Sequence, residues 1–324
     1  MSLFDDLEDP LLETAQMTLR GRDGQQALGD LGWSELLPML DIDPEARRAV
    51  FAFFRAQGRE LSVSNALGQL MALPYRDVSG GSGVTVSAAE RRSPRRGVQY
   101  LVVGPPAPGQ IAVDRPGLGV SLLDAETTAF RTVDLPGGPA LREIETDIDA
   151  PETWIPESEA LARRSRRLQL GRLAAAHEIL GASEAAFSVA VQHAGLREQF
   201  GRPIAGFQAV RHLLAAAQVD LAAIEALATQ AVDTYPELPP LHDAVLKAVA
   251  GRNGRRACER SLQVLGAMGF TSEHSHHQHH NRVLTLDTLL GTSIELAHRL
   301  AEAQRASKGA LPDLSLPAAA DFAG

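Results

Sequence analysis

The stretch "LREQFGRPIAGFQAVRHLLA", residues 196–215, lies between two long segments of the second half of the chain. It interrupts two long segments of helical hydrophobic spacing with a Gly-Arg-Pro turn, and it places Arg197, Phe200 and Gln208 around that turn. Two interpretations are open. In a simple helix corner, Arg197 caps the preceding helix and Phe200 fills the core. In an anion site, an arginine beside a glycine turn near a helix start suits a pyrophosphate.

The segments on both sides of this stretch are helical in pattern. Apolar residues recur at three- and four-residue spacing in "EALARRSRRLQLGRLAAAHEILGASEAAFSVAVQHAGL", "FQAVRHLLAAAQVDLAAIEALATQAVDTY", "PPLHDAVLKAVAGRNGRRACERSLQVLGAMG" and "SIELAHRLAEAQRA". Four long helices with short connections predict a C-terminal helical bundle over 159–305. Residues 306–324 have few large apolar groups, and we expect a flexible tail there.

The first half of the chain has a different pattern. Residues 1–71 again show helical spacing and predict an N-terminal helical domain. Valine-rich runs such as "VTVSA" and "VQYLVVG", bounded by glycine and proline clusters, predict a small β domain over 72–158. The predicted fold is therefore mainly α, with a small β domain between two helical parts.

Composition narrows the function classes. The 324 residues are 44% hydrophobic, enough for several domains with cores, and the net charge of −9 argues against a nucleic-acid partner. The basic runs at 91–96 and 162–167 are expected to be solvated faces or loops. A single cysteine, Cys258, fits a reducing compartment. The chain has neither a secretory signal pattern nor an uninterrupted apolar run near ~18–20 residues. We therefore expect a soluble cytoplasmic protein with no membrane partner.

Three motifs resemble those of one enzyme family. "REQFGRPIAGFQAV" resembles the Arg-x-x-Phe-Gly and Phe-Gln signature of the FAD-dependent acyl-CoA dehydrogenases, and "QVLGAMGFTSE" (263–273) resembles their Gln-x-x-Gly-Gly-x-Gly-Phe segment. The "GTS" at 291–293 resembles their Gly-Thr pair, and all three occur in the family order. The resemblance implies an N-terminal helical domain, a middle β domain and a C-terminal four-helix bundle, which is the predicted order.

The resemblance also implies a cofactor and the residues that contact it. In the family, one subunit reaches the FAD of its neighbour through these segments. Carried over, Arg197, Phe200 and Gln208 contact the FAD phosphate or adenine, and Gln263 and Gly266 contact the pyrophosphate side. Ala267 stands where the family has a second glycine, so the closest backbone approach is not implied there.

The catalytic base of the family is missing from its expected positions. The reaction removes an α-proton from an acyl-CoA thioester with a carboxylate, while the β-hydrogen leaves as hydride to the flavin. The residue before the Gly-Thr pair is Leu290, and the alternative family position, just before Arg172, is Gly171. Neither side chain takes a proton, so we predict no catalytic residue in this chain.

The middle segment also lacks the family's flavin-ring motifs. Neither Thr-Glu-Pro…Gly-Ser-Asp nor Gly-x-Lys-x-Trp-Ile-Thr is present, the nearest stretch is "LPYRDVSGGSG" (73–83), and no tryptophan lies between Trp33 and Trp154. The resemblance therefore implies one subunit of a heteromer that completes the partner's FAD site. Such α2β2 acyl-CoA dehydrogenases of steroid degradation desaturate steroid side-chain or ring-derived CoA esters.

Two alternatives stay open. One is a self-sufficient homo-oligomeric dehydrogenase in which Asp287 or Glu295 acts as a relocated base. The other is a non-catalytic scaffold or metal-binding protein, since "SEHSHHQHHNR" holds five of the ten histidines, at 274, 276, 277, 279 and 280. We interpret that segment as a polar interface loop and expect no metal there.

Overall fold

The computed structural model describes residues 9–77, 83–93, 95–105, 107–133, 135–146, 148, 153–271 and 273–306. The helices are α1 (Pro10–Leu19), α2 (Gly24–Asp30), α3 (Trp33–Met39), α4 (Pro44–Glu60), α5 (Ala66–Ala72), α6 (Glu157–Leu196), α7 (Gln208–Thr234), α8 (His242–Leu265), α9 (His276–Thr288) and α10 (Ser293–Ala306). The strands are β1 (Val84–Ser87), β2 (Ala89–Ser93), β3 (Gly97–Val103), β4 (Gln110–Arg115), β5 (Gly119–Asp124), β6 (Phe130–Val133), β7 (Leu141–Ile144), β8 (Thr153–Pro156), β9 (Glu198–Gln199) and β10 (Arg202–Pro203). Part of the "LPYRDVSGGSG" stretch, residues 78–82, and nearly all of the expected tail, residues 307–324, lie outside the described residues.

The N-terminal helices share a core with the bundle. At the start of α4, the Asp43 carboxylate accepts the Glu45 N–H at 2.8 Å. The helix buries three phenylalanines, one of which, Phe53, lies 5.2 Å from the ring of Trp33. α4 meets α6 backbone to backbone: a Cβ at Gly181 would lie 1.8 Å from the Arg55 carbonyl oxygen. Glycine is therefore required where the two helices meet.

The strands between the helical parts form two four-stranded sheets. Their orders are β1-β4-β5-β8 and β2-β3-β7-β6, and only the β1–β4 pair is parallel. Apolar side chains that alternate along the strands form a small core of their own, made chiefly of Val86, Val102, Ile111, Val113 and Leu123.

Buried arginines on α6 hold the β unit against the bundle. The basic run 162–167 was expected to be solvated, but Arg164 and Arg167 are buried. Arg164 Nε lies 2.8 Å from Asp114 Oδ1, and Arg167 Nη2 lies 2.6 Å from Glu90 Oε2. The expectation was wrong because arginine is buried readily when carboxylates satisfy its planar group. The other run, 91–96, is exposed at Arg92, Arg95 and Arg96, as expected.

A third ion pair, between α9 and α6 inside the bundle, positions an arginine that also contacts the N-terminal helices. Arg282 Nη1 lies 2.6 Å from Glu178 Oε1, and both side chains are 1% exposed. Arg282 also donates to the carbonyl oxygens of Leu61, Ser62 and Gly137. One side chain on α9 thus links α6, the end of α4 and a loop of the β unit.

One described helix, α7, is long and apolar enough to cross a membrane by length and composition alone, with 28% of that window buried. The sequence, which has no uninterrupted apolar run near this length, did not predict this. In the structure, α7 contributes Leu221, Ile224 and Ala228 to the bundle core and packs against α8 and α6. The same composition is typical of a bundle helix.

Candidate cofactor-binding site

The predicted cofactor residues meet at one end of the bundle. Arg197, Phe200 and Gln208 lie where α6 ends and α7 begins, and Gln263 and Gly266 lie where α8 ends. These helix ends pack through an apolar cluster that contains Ala194, Ile204, Val210, Val264 and Leu265. We call Arg197, Phe200, Gln208, Gln263 and Gly266 the nucleotide surface, and all five are exposed.

A two-residue hairpin presents Phe200. β9 and β10 pair Gln199 with Arg202, and the two residues between them, Phe200 and Gly201, have φ of 53° and 75°. Positive φ at both central residues is the geometry of a type I′ turn, which fits the right-handed twist of a hairpin. The Phe200 side chain is 92% exposed, so its interpretation as a core residue is wrong.

Helix ends supply the polar groups of the nucleotide surface. Arg197 is the C-cap residue that follows α6, and its N–H donates to the His193 carbonyl at 2.8 Å. At the start of α7, the N-cap residue Phe207 offers no side-chain hydrogen bond to the first turn, so the N–H groups there have no cap. Free N–H groups at a helix N-terminus favour an anion.

A glycine ends α8 for conformational reasons. Gly266 has φ 61° and ψ −140°, a region that side chains with a Cβ avoid. Apart from Gly266 itself and its two chain neighbours, no heavy atom of the described residues lies within 4 Å of a Cβ built there. The position therefore leaves open space next to the exposed Gln263, and a ligand group has room to approach the backbone.

The charge of this end is positive. Arg197, Arg202 and Arg211 are exposed around the hairpin. Burial lowers the pKa of His193, and the positive charges of Arg197 and His274 lower it further. An exposed aromatic ring, arginines, an uncapped helix start and an open glycine together fit the adenosine diphosphate half of a dinucleotide.

The two predicted base positions meet elsewhere in the bundle and hold no acid. A Cβ at Gly171 would lie 2.7 Å from Leu290 Cδ1 and 2.9 Å from Met71 Sδ. Leu290 is 1% exposed, so its side chain fills this point with hydrocarbon. The two positions predicted to lack a proton acceptor are therefore in apolar contact with each other.

The turn that carries Leu290 is held from several sides. Arg172 donates to the Leu290 carbonyl at 3.1 Å and pairs with Asp243 at 2.8 Å. The buried Lys247 donates to the Asp287 and Gly291 carbonyls, and burial lowers its pKa to about 8. On the β side, the Leu290 N–H donates to the Glu90 carbonyl, and Leu289 forms a bridge with Arg91.

The two candidate relocated bases cap α10 instead. Asp287 accepts the Ser293 N–H and hydroxyl, each at 3.0 Å. Glu295 accepts the Thr292 N–H at 3.0 Å, while its own N–H donates to the Thr292 hydroxyl, which is a capping box. Both carboxylates are thus committed to the helix start that follows Leu290.

The histidine-rich segment is mostly helix. Residues 276–280 open α9, so the expectation of a loop is wrong there, while Ser272 lies outside the described residues. His276 and His279 are buried, and burial lowers the pKa of each to about 4. His276 Nε2 lies 2.9 Å from the Cys258 carbonyl oxygen. Within the described ranges, no group of three or more metal-type ligands is placed to hold an ion.

Sequence reasoning missed the groups that organise these sites. Lys247, Asp243 and the buried pair of Arg282 with Glu178 were not singled out, because a charged residue inside a helical pattern looks the same whether it faces solvent or a partner. Lys247, Glu178 and Arg282 are buried. A charged residue on the apolar side of a helical pattern is the sequence feature that could have identified them.

Comparisons with known proteins agree with this geometry. Residues 161–304 match the family described as acyl-CoA dehydrogenase, C-terminal domain. The chain is 29% identical to 3-sulfinopropanoyl-CoA desulfinase of Paraburkholderia xenovorans over 53% of this chain and 42% of that protein. It is 30% identical to acyl-CoA dehydrogenase IpdE2 of Mycobacterium tuberculosis over 49% of this chain and 46% of that protein. The chain thus spans less than half the length of these curated relatives.

Solved structures resemble nearly the whole chain. A variant of the Tcur3481-Tcur3483 steroid ACAD gives a TM-score of 0.70 at 19% identity, covering 92% of this chain and 98% of that one. The ChsE4-ChsE5 complex from Mycobacterium tuberculosis gives 0.65 at 16% identity, covering 93% and 99%. Butyryl-CoA dehydrogenase from Megasphaera elsdenii gives 0.62 at 16% identity, covering 94% and 100%. The predicted fold class is confirmed.

Proposed function

We propose that this chain, whose residues 161–304 match the acyl-CoA dehydrogenase C-terminal domain family and which has the acyl-CoA dehydrogenase fold, is a subunit of a heteromeric FAD-dependent acyl-CoA dehydrogenase. The chain completes the FAD site of an unlike partner and contributes no base of its own. The partner supplies the catalytic carboxylate and the seat of the flavin ring. An α2β2 assembly would pair each such chain with one partner of this kind.

One observation carries the proposal: the nucleotide surface is exposed, whereas the base position is filled. Phe200 is 92% exposed and Leu290 is 1% exposed. From Gly171 to Arg197, α6 extends about 39 Å at ~1.5 Å per residue. That separation exceeds the length of a dinucleotide, which supports a nucleotide surface that serves a site on another chain.

The residues of the nucleotide surface have separate roles. Arg197 supplies charged hydrogen bonds to a phosphate, and the first turn of α7, with Gln208, supplies helix N–H groups. Phe200 offers a ring face on which adenine stacks. Gln263 and the open backbone at Gly266 contact the pyrophosphate side. FAD, when bound, accepts the hydride from the β-carbon of the thioester.

The alternative with a relocated base has no support in the geometry. Asp287 and Glu295 both accept hydrogen bonds from the residues that start α10. Moving either carboxylate would uncap that helix, at a cost of about 1 kcal/mol for a lost cap.

We also propose a steroid-derived acyl-CoA as the substrate class. Support comes from one structural neighbour, the Tcur3481-Tcur3483 protein, whose name describes a steroid ACAD. The ChsE4-ChsE5 protein is described as a complex of two named chains, which supports the unlike pairing.

The test is FAD retention by the complex that this chain forms with its flavin-binding partner. Arg197→Ala should weaken FAD binding by about 10- to 100-fold, as expected for charge-assisted hydrogen bonds to a phosphate. Arg299→Ala is the matched control, because Arg299 is also exposed but lies on α10. Equal flavin content in the two variants would contradict the proposal.

A further inference from the structure

Phe200 is held in an unfavourable position without being buried. Its φ of 53° is disfavoured for a residue with a Cβ, and its side chain is 92% exposed. The ring contacts Phe207 but is not buried in the core, so core burial does not offset this conformation. Backbone strain of this kind concentrates where a ligand is held. A freely rotating aromatic side chain loses rotamer entropy when it binds a ligand, which weakens binding. A neighbouring group that fixes the ring beforehand would reduce that cost.

Two contacts connect the Phe200 ring to a cation. The ring meets Phe207 edge to face, with centroids 6.1 Å apart and planes at 87°. On Phe207 lies the Arg202 guanidinium, its Cζ 4.3 Å from the ring centroid. The Arg202 side chain also covers Gly206, where a Cβ would meet Arg202 Cδ at 3.4 Å. Arg202 therefore packs against Phe207, the residue whose ring contacts Phe200, and against the adjacent Gly206.

No carboxylate competes for this arginine within the described residues. The structure records no ion pair or hydrogen bond of the Arg202 side chain there, whereas the side chain of the neighbouring Arg211 donates to the Ala205 carbonyl. Its recorded partner is the Phe207 ring. The stacked geometry is thus what orients the guanidinium.

We infer that Arg202 is a positioning residue: stacked on Phe207, it holds the Phe200 ring ready to stack on the adenine of the partner's FAD. The inference rests on the proposed function. It assigns Arg202 an indirect role, distinct from the phosphate contact expected of Arg197.

The first test reads the ring directly in the full chain. 4-Fluorophenylalanine at position 200 should give one dispersed fluorine resonance, because the Phe207 ring shields a fixed neighbour. Arg202→Ala should move that resonance toward the free amino-acid shift, and Arg202→Lys should restore part of the dispersion through a weaker cation–π contact. Arg256→Ala, an exposed arginine on α8, is the charge control. An unchanged resonance in Arg202→Ala would overturn the inference.

The second test is a double-mutant cycle on the FAD dissociation constant of the complex. Phe200→Ala should weaken binding about 5- to 150-fold, as for a lost base stack. Arg202→Ala should weaken it about 2- to 5-fold alone and have no further effect in the Phe200→Ala background. Equal losses in both backgrounds would mean direct contact with FAD and would overturn the inference. A loss with Phe200→Ala but none with Arg202→Ala overturns the inference alone, whereas no loss with Phe200→Ala counts against the proposed function itself.

Discussion

Leu290 Cδ1 lies against Gly171, so closely that a methyl group on Gly171 would come within 2.7 Å of it. These are the two positions at which the acyl-CoA dehydrogenase family is expected to place its base. In this chain they form one apolar contact, and Met71 closes it from the N-terminal helices. The contact explains why neither position is free to take a carboxylate.

Gly171→Ala should lower the free energy of unfolding by about 1–3 kcal/mol, since it overpacks this contact. Leu290→Ala alone should cost about 2–5 kcal/mol because it leaves a cavity. In the double variant the clash with Leu290 is gone, although Met71 Sδ still lies 2.9 Å from the added methyl, so Gly171→Ala should cost less in the Leu290→Ala background than in the parent. Urea denaturation gives the free energy of unfolding of all three variants. If the loss in the double variant equals the sum of the two single losses, the two side chains are not in contact.

Leu290→Glu should not create a dehydrogenase in the lone chain. It places a carboxylate at a position that is 1% exposed, and we expect the free energy of unfolding to fall by about 3 kcal/mol or more. Leu290→Met is the matched control and should cost less than about 1.5 kcal/mol, because it keeps volume and polarity. A Leu290→Glu chain as stable as the parent, with activity on an acyl-CoA, would show that the position is still an active site.

Arg282→Met should destabilise the chain by about 3–5 kcal/mol, because it leaves the Glu178 carboxylate buried and unpaired. Replacing Glu178 by Met as well should recover much of that loss. Arg48→Met breaks the exposed pair with Asp233 and should cost less than about 1 kcal/mol. Chemical denaturation compares them, and similar losses for the buried and the exposed pair would contradict the structure.

Stability should fall on mild acidification. Burial lowers the pKa of His177, His276 and His279 to about 4, below the 6.5 of an unfolded histidine. Between these values the unfolded chain binds more protons, so the stabilisation is complete above pH 6.5 and is lost as pH falls toward 4. Each histidine contributes roughly 1 kcal/mol per pH unit in that window.

The measurement is the free energy of unfolding at pH 7.5 and 5.5. His279→Gln should reduce the difference, because His177 and His276 still contribute, while His298→Gln, at an exposed position on α10, should leave it unchanged. A parent chain equally stable at both values would show that the three rings are not held neutral by burial.

The sequence predicted the fold class, because long helical periodicity and valine-rich runs are local signals. It also predicted the five residues of the nucleotide surface from short motifs, and their contact with FAD stays a prediction. It did not show that Phe200 points to solvent, because one aromatic residue in a turn is consistent with a core contact and with an exposed ring. Only the positive φ of the hairpin and the 92% exposure decide between them.

Charges inside helical segments were the main source of error. The run 162–167 contains Arg164 and Arg167, whose carboxylate partners, Asp114 and Glu90, lie on distant strands. Nothing local distinguishes such an arginine from a solvated one. In the same way, the caps made by Asp287 and Glu295 depend on how α9 and α10 meet, which periodicity does not define.

The most direct test is the flavin content of this chain alone and in complex with its partner. We expect a colourless lone chain without FAD, and a complex that holds one FAD for each pair of unlike subunits and desaturates an acyl-CoA. A lone chain that purifies with one FAD per polypeptide and oxidises an acyl-CoA would contradict that expectation.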